Sequence, residues 1–493
     1  MAFPASSELQ KSQKGKPSIP EIIAGGKITA DKDAIAEKNA TGTSRLAAIL
    51  CLAIGVCALC CGVVYGMQTL EFLRKIVLGE LLVALSLAEL VWRAVLALRY
   101  RPVPGCDDEL LPDCTVVVPA FNEGKQVFVT LESLAASDYP KDKLQLIAVD
   151  DGSVDDTWEW IRRAEELLGG RVITIKQPRN KGKRHALYAG FQQSTGEILV
   201  TVDSDSIVTA DTLRNLVAPF VADKKVGAVA GNLRVLNMDK GMIPKMLDVA
   251  FVYTSNFLRA SQSMVKAVLC TPGALSAYRR SVVMNVLQEW LHQTFCGQPA
   301  NIGEDRALTN LILREGHHVV FQRNAWVYTE APVTYANLCK MFLRWARGDF
   351  RENIALTRFI FTPFREGSLL GARINLISNW VATVIQVVLV FALGMIVLHP
   401  ITLGVNMLLG VIISSSLAAI IYAWKFGSFT SLWAFMYGFY SLVSLSWIGP
   451  YALITPHKSG WLTRQIKLKP VIDQAKPALS GSRMFLQEAE SVD

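Results

Sequence analysis

Apolar residues gather into two blocks that flank a polar middle. Residues 47–70, 374–398, 401–424 and 429–455 carry no charged side chain, and a helix needs roughly 20 apolar residues to cross a bilayer core. Residues 76–98 form a fifth apolar run, broken only by Glu80, Glu89 and Arg93. The pattern predicts five spanning segments, two before the middle and three after it. Carboxylates are costly in lipid, so Glu80 and Glu89 should face protein or a polar channel, or Glu89 should pair with Arg93 one turn on.

Within the middle the period shortens. Residues 114–119 and 144–149 are short apolar runs, residues 124–136 read as a helix, and a turn, DDGSVDD, leads into another helix from Thr157. Strands alternating with helices predict a parallel sheet covered by helices, with ligands bound at the carboxyl ends of the strands. Residues 1–45 show no sustained periodicity and read as a disordered tail.

Composition agrees. Of 493 residues 51% are hydrophobic, and the mean hydropathy of +0.30 is too high for a soluble enzyme of this size. The net charge of +8 suits a protein that handles anionic groups or faces anionic lipid. The nine cysteines form no pair of CxxC elements, so neither a zinc site nor a disulfide framework is expected. Arg93, Arg99 and Arg101 follow the second apolar run, and cationic flanks stay in the cytoplasm, which places the polar middle there. Lys458, Arg464, Lys467 and Lys469 ask for a cytoplasmic tail as well. That parity requires Gly449-Pro450 to break the last run into a re-entrant hairpin.

Candidate chemistry lies where predicted strands end in carboxylates. IAVDDGS places Asp150 and Asp151 at one end, ILVTVDSDS places Asp203 and Asp205 at the next, and NIGEDRALTN puts Glu304 and Asp305 at the start of a helix. Any one of these fits a helix cap or a turn. The alternate carboxylates of Asp203-Ser204-Asp205 have the spacing to hold a hard divalent cation on a diphosphate. NKGKRHAL adds Lys181, Lys183 and Arg184, suited to phosphate or to a solvated loop. In KMFLRWARGDFREN, cations recur at Lys340, Arg344, Arg347 and Arg351 with helical spacing, which reads either as a basic helix on anionic lipid or as part of a site pressed against the membrane.

VVVPAFNE, VDDGS, NKGKRHAL, VDSDS, GEDRALTN and RWARGDF stand in the order and approximate spacing of membrane-embedded family-two glycosyltransferases. The chain resembles the branch containing hyaluronan, chitin-oligosaccharide and cellulose synthases, over about residues 45 to 470. The resemblance implies an α/β, GT-A-like cytoplasmic domain inserted between transmembrane helices. Its expected layout is a tail (1–45), two transmembrane helices (46–98), the catalytic domain (99–335), interface helices with the RW motif (336–372), three transmembrane segments (373–456) and a C-terminal tail (457–493).

The resemblance also assigns roles. Asp151, with Asp150 beside it, would contact the uridine of a UDP-sugar. Asp203 and Asp205 would hold Mg²⁺ or Mn²⁺ on the diphosphate, with Lys183 and Arg344 also at the donor. Asp305, poised by Glu304, would be the base that deprotonates the acceptor hydroxyl, giving inversion. TPGALSAYRR resembles the acceptor-cradling loop, with Gly273 allowing close approach, and Trp345 would stack on the acceptor sugar. Met341 stands where the family carries Gln and has no amide to offer. SGWLTRQ resembles a gating element, with Trp461 and Arg464 near the nucleotide; a basic segment on lipid is the competing reading.

Three functions remain open at this point. The first is a plasma-membrane synthase that extends a β-linked polysaccharide from a UDP-sugar, UDP-N-acetylglucosamine and/or UDP-glucuronate, and translocates it. The second is a non-processive transferase to a lipid-linked acceptor, and the third a non-enzymatic transporter or sensor. The expected partners are the UDP-sugar donor, the growing polysaccharide or lipid-linked acceptor, and membrane lipid; no nucleic acid is among them.

Overall fold

A computed structural model describes residues 46–58 and 79–458. The tails at 1–45 and 459–493, the stretch 59–78 and the side chains of residues 79–83, Glu80 among them, lie outside the described residues, as do Trp461 and Arg464.

The polar middle forms one eight-stranded sheet. Its strands are β1 (Cys114–Ala120), β2 (Leu144–Asp150), β3 (Val172–Lys176), β4 (Ile198–Val202), β5 (Ser206–Val208), β6 (Val226–Val235), β7 (Leu275–Arg279) and β8 (His318–Thr329). The spatial order is β3-β2-β1-β4-β7-β6-β8-β5. Every residue of β1, β4 and β6 is buried, which is why their apolar runs are continuous rather than alternating.

The sheet is mixed, a correction to the all-parallel expectation. Strand β7 runs antiparallel to both β4 and β6, and β5 runs antiparallel to β8. The chain re-enters the sheet for β7 at the carboxyl end of β4, with Leu275 opposite Val202. That reversal brings Pro272-Gly273 to the edge where Asp203 emerges.

Helices cover both faces. On one face α1 (Gln126–Ala135), α2 (Thr157–Leu167) and α3 (Thr212–Ala222) bury Phe128, Ile161 and Leu216 against the sheet. On the other, α4 (Lys183–Gln192), α5 (Arg280–Leu291) and α6 (Glu304–Arg314) bury Phe191, Trp290 and Leu308. A long helix, α7 (Tyr335–Thr357), crosses below; its cap Thr334 accepts from the Asn337 N–H.

Among the described residues two helices are long and apolar enough to span a membrane, α8 (Leu370–Met395) and α9 (Pro400–Phe426). A third candidate is the bent pair Phe429–Leu445 and Ile448–Ile454, with 43° between its pieces. The bend precedes Gly449-Pro450. Pro450 occupies the first turn of the second piece, where its missing N–H breaks no helical bond. Before the sheet, the described parts of the first two runs are the helices Leu46–Ala58 and Gly79–Arg99. In the latter, Glu89 pairs with Arg93, which also reaches Ser261. The apolar seam is continuous across the two halves: Ala372 and Leu376 of α8 belong to the same buried cluster as Phe191 and Trp290.

Candidate active site

The carboxyl edge of β2, β1 and β4 carries the predicted residues, and the structure separates them into two groups. At the end of β2, Asp150 and Asp151 are 0% and 2% exposed. Both Asp151 oxygens are committed, accepting from the backbone N–H groups of Lys181 (3.0 Å) and Gly182 (2.7 Å). Burial raises the Asp151 pKa, against those two hydrogen bonds. The carboxylate therefore ties the lysine loop to the sheet. Gly152 completes the fit: at φ +72°, a side chain there would strike the backbone of Arg179 and Asn180. Asp150 accepts from the Ser153 N–H through Oδ1, whereas its buried Oδ2 has no hydrogen-bond partner among the described residues.

The second group converges beyond β4. Lys183, the first residue of α4, ion-pairs with Asp203 and lies 3.6 Å from Glu304. Gly273 sits over this pair, and a side chain there would require the Lys183 ammonium to shift. Lys183, Gly273, Glu304 and Asp305 line one pocket, floored by Leu187, Tyr278 and Trp290. Burial acts to lower the Lys183 pKa, but Asp203 and Glu304 hold it above the usual lysine range. Asp205, two residues on from Asp203, uses Oδ1 to accept from Ser206 (3.3 Å) and Thr329 (3.4 Å).

Asp305 is the perturbed acid of the site. Burial first, and then the neighbouring Glu304 charge, push its pKa up to about 6, opposed by Lys183 and by the Arg306 N–H at 2.7 Å. Glu304 and Asp305 open α6 behind Gly303, which takes a left-handed conformation at φ +75°. Two further contacts hold this turn: the Trp290 Nε1–H donates to the Glu304 carbonyl (2.8 Å), and the Cys270 thiol lies 3.7 Å from Asp305 Oδ2. Neither Trp290 nor Cys270 was legible as a site residue, since each sits in sequence that reads as ordinary apolar packing.

The Arg344 helix packs directly on this turn, with Gly348 so close to Gly303 that a Cβ on either would stand 3.1–3.3 Å from the other's Cα. Arg344 lies one turn before Gly348 and is half-buried, and Trp345 is 40% exposed and in contact with Phe251 and Phe342. The lipid-facing reading fails for Arg347 and Arg351. Both are 3% exposed, bonding Thr455 and the Ile302 carbonyl respectively, because α7 is enclosed between α6 and the bent pair. Met341 is buried too, in an apolar cluster with Leu338, Leu445 and Ile448.

Residues 112–348 match the sequence profile described as glycosyltransferase like family 2. An N-acetylglucosaminyltransferase of Rhizobium meliloti is 34% identical over 294 residues, 58% of this chain and 68% of that protein. The hyaluronan synthase of Streptococcus pyogenes is 32% identical over 279 residues, 55% of this chain and 65% of that one. Among solved structures, a mannosyltransferase from Pyrobaculum calidifontis in complex with GDP-Man and Mn²⁺ overlies 69% of this chain and 96% of its own, at 23% identity and a TM-score of 0.49. The non-enzymatic reading falls with these matches, and the chain belongs to the family-two glycosyltransferases, with a GT-A-like catalytic domain.

Proposed function

We propose that this protein is an inverting glycosyltransferase of the plasma membrane that draws on a UDP-sugar, UDP-N-acetylglucosamine and/or UDP-glucuronate, to extend a β-linked polysaccharide and pass it outward through its own helices. The observation that carries this reading is the convergence of Lys183, Asp203, Glu304 and Asp305 beneath Gly273, with the Arg344 helix packed on Gly303. The names of the relatives, N-acetylglucosaminyltransferase and hyaluronan synthase, support the sugar and the product.

Asp150 Oδ2 is a buried acceptor in want of a donor, and the N3–H of uracil is one. Lys183 and Arg344 bring cations to the diphosphate. Asp203 and Asp205 offer hard carboxylate oxygens, but among the described residues no cluster of three or more His, Cys, Asp or Glu could enclose a metal ion. These two carboxylates would hold a Mg²⁺ or Mn²⁺ at the diphosphate. When bound, such a cation supplies charge neutralisation for the departing diphosphate. Asp305 takes the proton from the acceptor hydroxyl as its oxygen attacks the anomeric carbon from the face opposite the diphosphate, so configuration inverts. Trp345 offers a flat apolar face to the acceptor pyranose. Trp461 and Arg464, on a cytoplasmic tail, would close over the nucleotide.

A second reading, single transfer to a lipid-linked acceptor, is favoured by one feature. Met341 faces Leu445 and Ile448, so no amide from that position reaches the sugar path. Purified protein in vesicles, given each UDP-sugar singly and in pairs, separates the two. Long polymer is the expected product; product confined to the organic extract would establish the second reading and end the first.

A further inference from the structure

The side chains proposed to act on donor and acceptor come from the first turns of two helices and the middle of a third: Lys183 on α4, Glu304 and Asp305 on α6, Arg344 on α7. Their separation depends on whatever fixes those helices to one another. Beneath the pocket runs a polar chain that touches all three. The Arg184 guanidinium, next to Lys183, donates to the Trp290 carbonyl and, at 3.1 Å, to Gln293 Oε1. Gln293 Nε2 donates to Glu352 Oε1 at 2.9 Å. Asn310 Nδ2, on α6, donates to Glu352 Oε2 at 2.9 Å and to the Glu352 backbone carbonyl at 3.0 Å.

Arg184, Asn310 and Glu352 are each 3% exposed. Burying a carboxylate this deeply costs several kcal/mol before its partners are counted, and an apolar residue would pack α7 as well. The arrangement has another use. An amide placed between a cation and an anion can point only one way, with oxygen to Arg184 and nitrogen to Glu352. A chain polarised at both ends has a single geometry. The cation of Arg184 also stands over the Trp290 ring, 5.2 Å from its centroid, and Trp290 in turn holds the Glu304 carbonyl.

We infer that Glu352 is a positioning residue: through Gln293 and Asn310 it sets the starts of α4 and α6, and hence Lys183 and Asp305, at a fixed separation from the Arg344 helix. This rests on the glycosyl-transfer reading above. The test uses the full chain in vesicles and follows UDP release together with UDP affinity by calorimetry.

Glu352→Gln sets an amide nitrogen against Gln293 or Asn310, and kcat should fall roughly tenfold or more, as sub-ångström to 1 Å displacements of reacting groups do. The double exchange Gln293→Glu with Glu352→Gln repairs every contact. Arg184 then donates to the carboxylate introduced at position 293, the amide introduced at position 352 donates to that same carboxylate, and Asn310 still donates to the side-chain oxygen kept at position 352. It should restore kcat to within about threefold of the parent, a recovery that loss of fold alone does not produce. A Glu352→Gln variant with parental kcat, or a folded double variant no faster than the single, overturns the inference. If the single variant does not accumulate, the double variant still decides, since it must both accumulate and turn over. Wild-type protein that binds UDP but releases none from any UDP-sugar would instead overturn the transfer reading.

Discussion

Two pairs of adjacent carboxylates lie at the edge of the same sheet, and they behave differently. In Asp150-Asp151 one carboxylate is spent on the backbone of the lysine loop and the other keeps a buried oxygen unbonded among the described residues. In Glu304-Asp305 the acids open a helix beside a lysine, and the Asp305 pKa is pushed up to about 6. The sequence pattern is nearly the same. What differs is the set of groups around the acids. Backbone N–H groups take both Asp151 oxygens in the first pair, whereas in the second Lys183 stands 3.6 Å from Glu304 and Asp305 is met by the Arg306 N–H and the Cys270 thiol. In the proposed reading the first pair holds shape and binds, and the second exchanges a proton.

The largest break in this comparison should come from Asp305→Asn, which keeps volume and removes the base. Transfer should fall by about 10²–10⁴ with UDP affinity nearly unchanged, measured as UDP release against calorimetric Kd. The sign of the pH dependence follows from the raised pKa. Asp305 must be ionised to accept the proton, so the wild-type rate should climb about tenfold per pH unit up to about 6 and then level. A rate that is flat between about pH 5 and 7 would remove Asp305 from the role of base. Asp150→Asn is next in size. Oδ1 can still accept from Ser153, but the anionic acceptor offered to uracil is lost, so UDP affinity should drop roughly 10- to 100-fold. Asp151→Asn should act mainly on stability. A donor would face the Lys181 or Gly182 N–H, costing about 1–3 kcal/mol in thermal or denaturant unfolding, with a smaller change in kcat.

Much of the candidate site was legible because acids at strand ends leave a local signature: an apolar run that stops at VDD or VDSD needs no tertiary knowledge to be noticed. Strands β1, β2 and β4 and the start of α6 fall where the pattern put them. Other features depend on contacts that local pattern does not encode. Arg347 and Arg351 look like surface cations because their spacing is helical, yet the Thr455 hydroxyl and the Ile302 carbonyl that receive them are 108 and 49 residues away. The direction of β7 depends on where the chain re-enters the sheet, and Gly273 acquires its neighbour only through that reversal. The Gln293–Glu352 link spans 59 residues and belongs to no motif.

The seam between α8 and the sheet domain bears on how this enzyme can be handled. Ala372 and Leu376 are fully enclosed among residues of the catalytic core, and Asn375 donates to the Ala267 carbonyl at 3.0 Å. A cut made ahead of Leu370, where the hydrophobic profile invites one, would therefore uncap the interior on the α6 face and leave a buried carbonyl without its donor. The first turns of this candidate membrane span are structurally a part of the enzyme, so the smallest unit that keeps this core closed carries the start of an apolar helix with it.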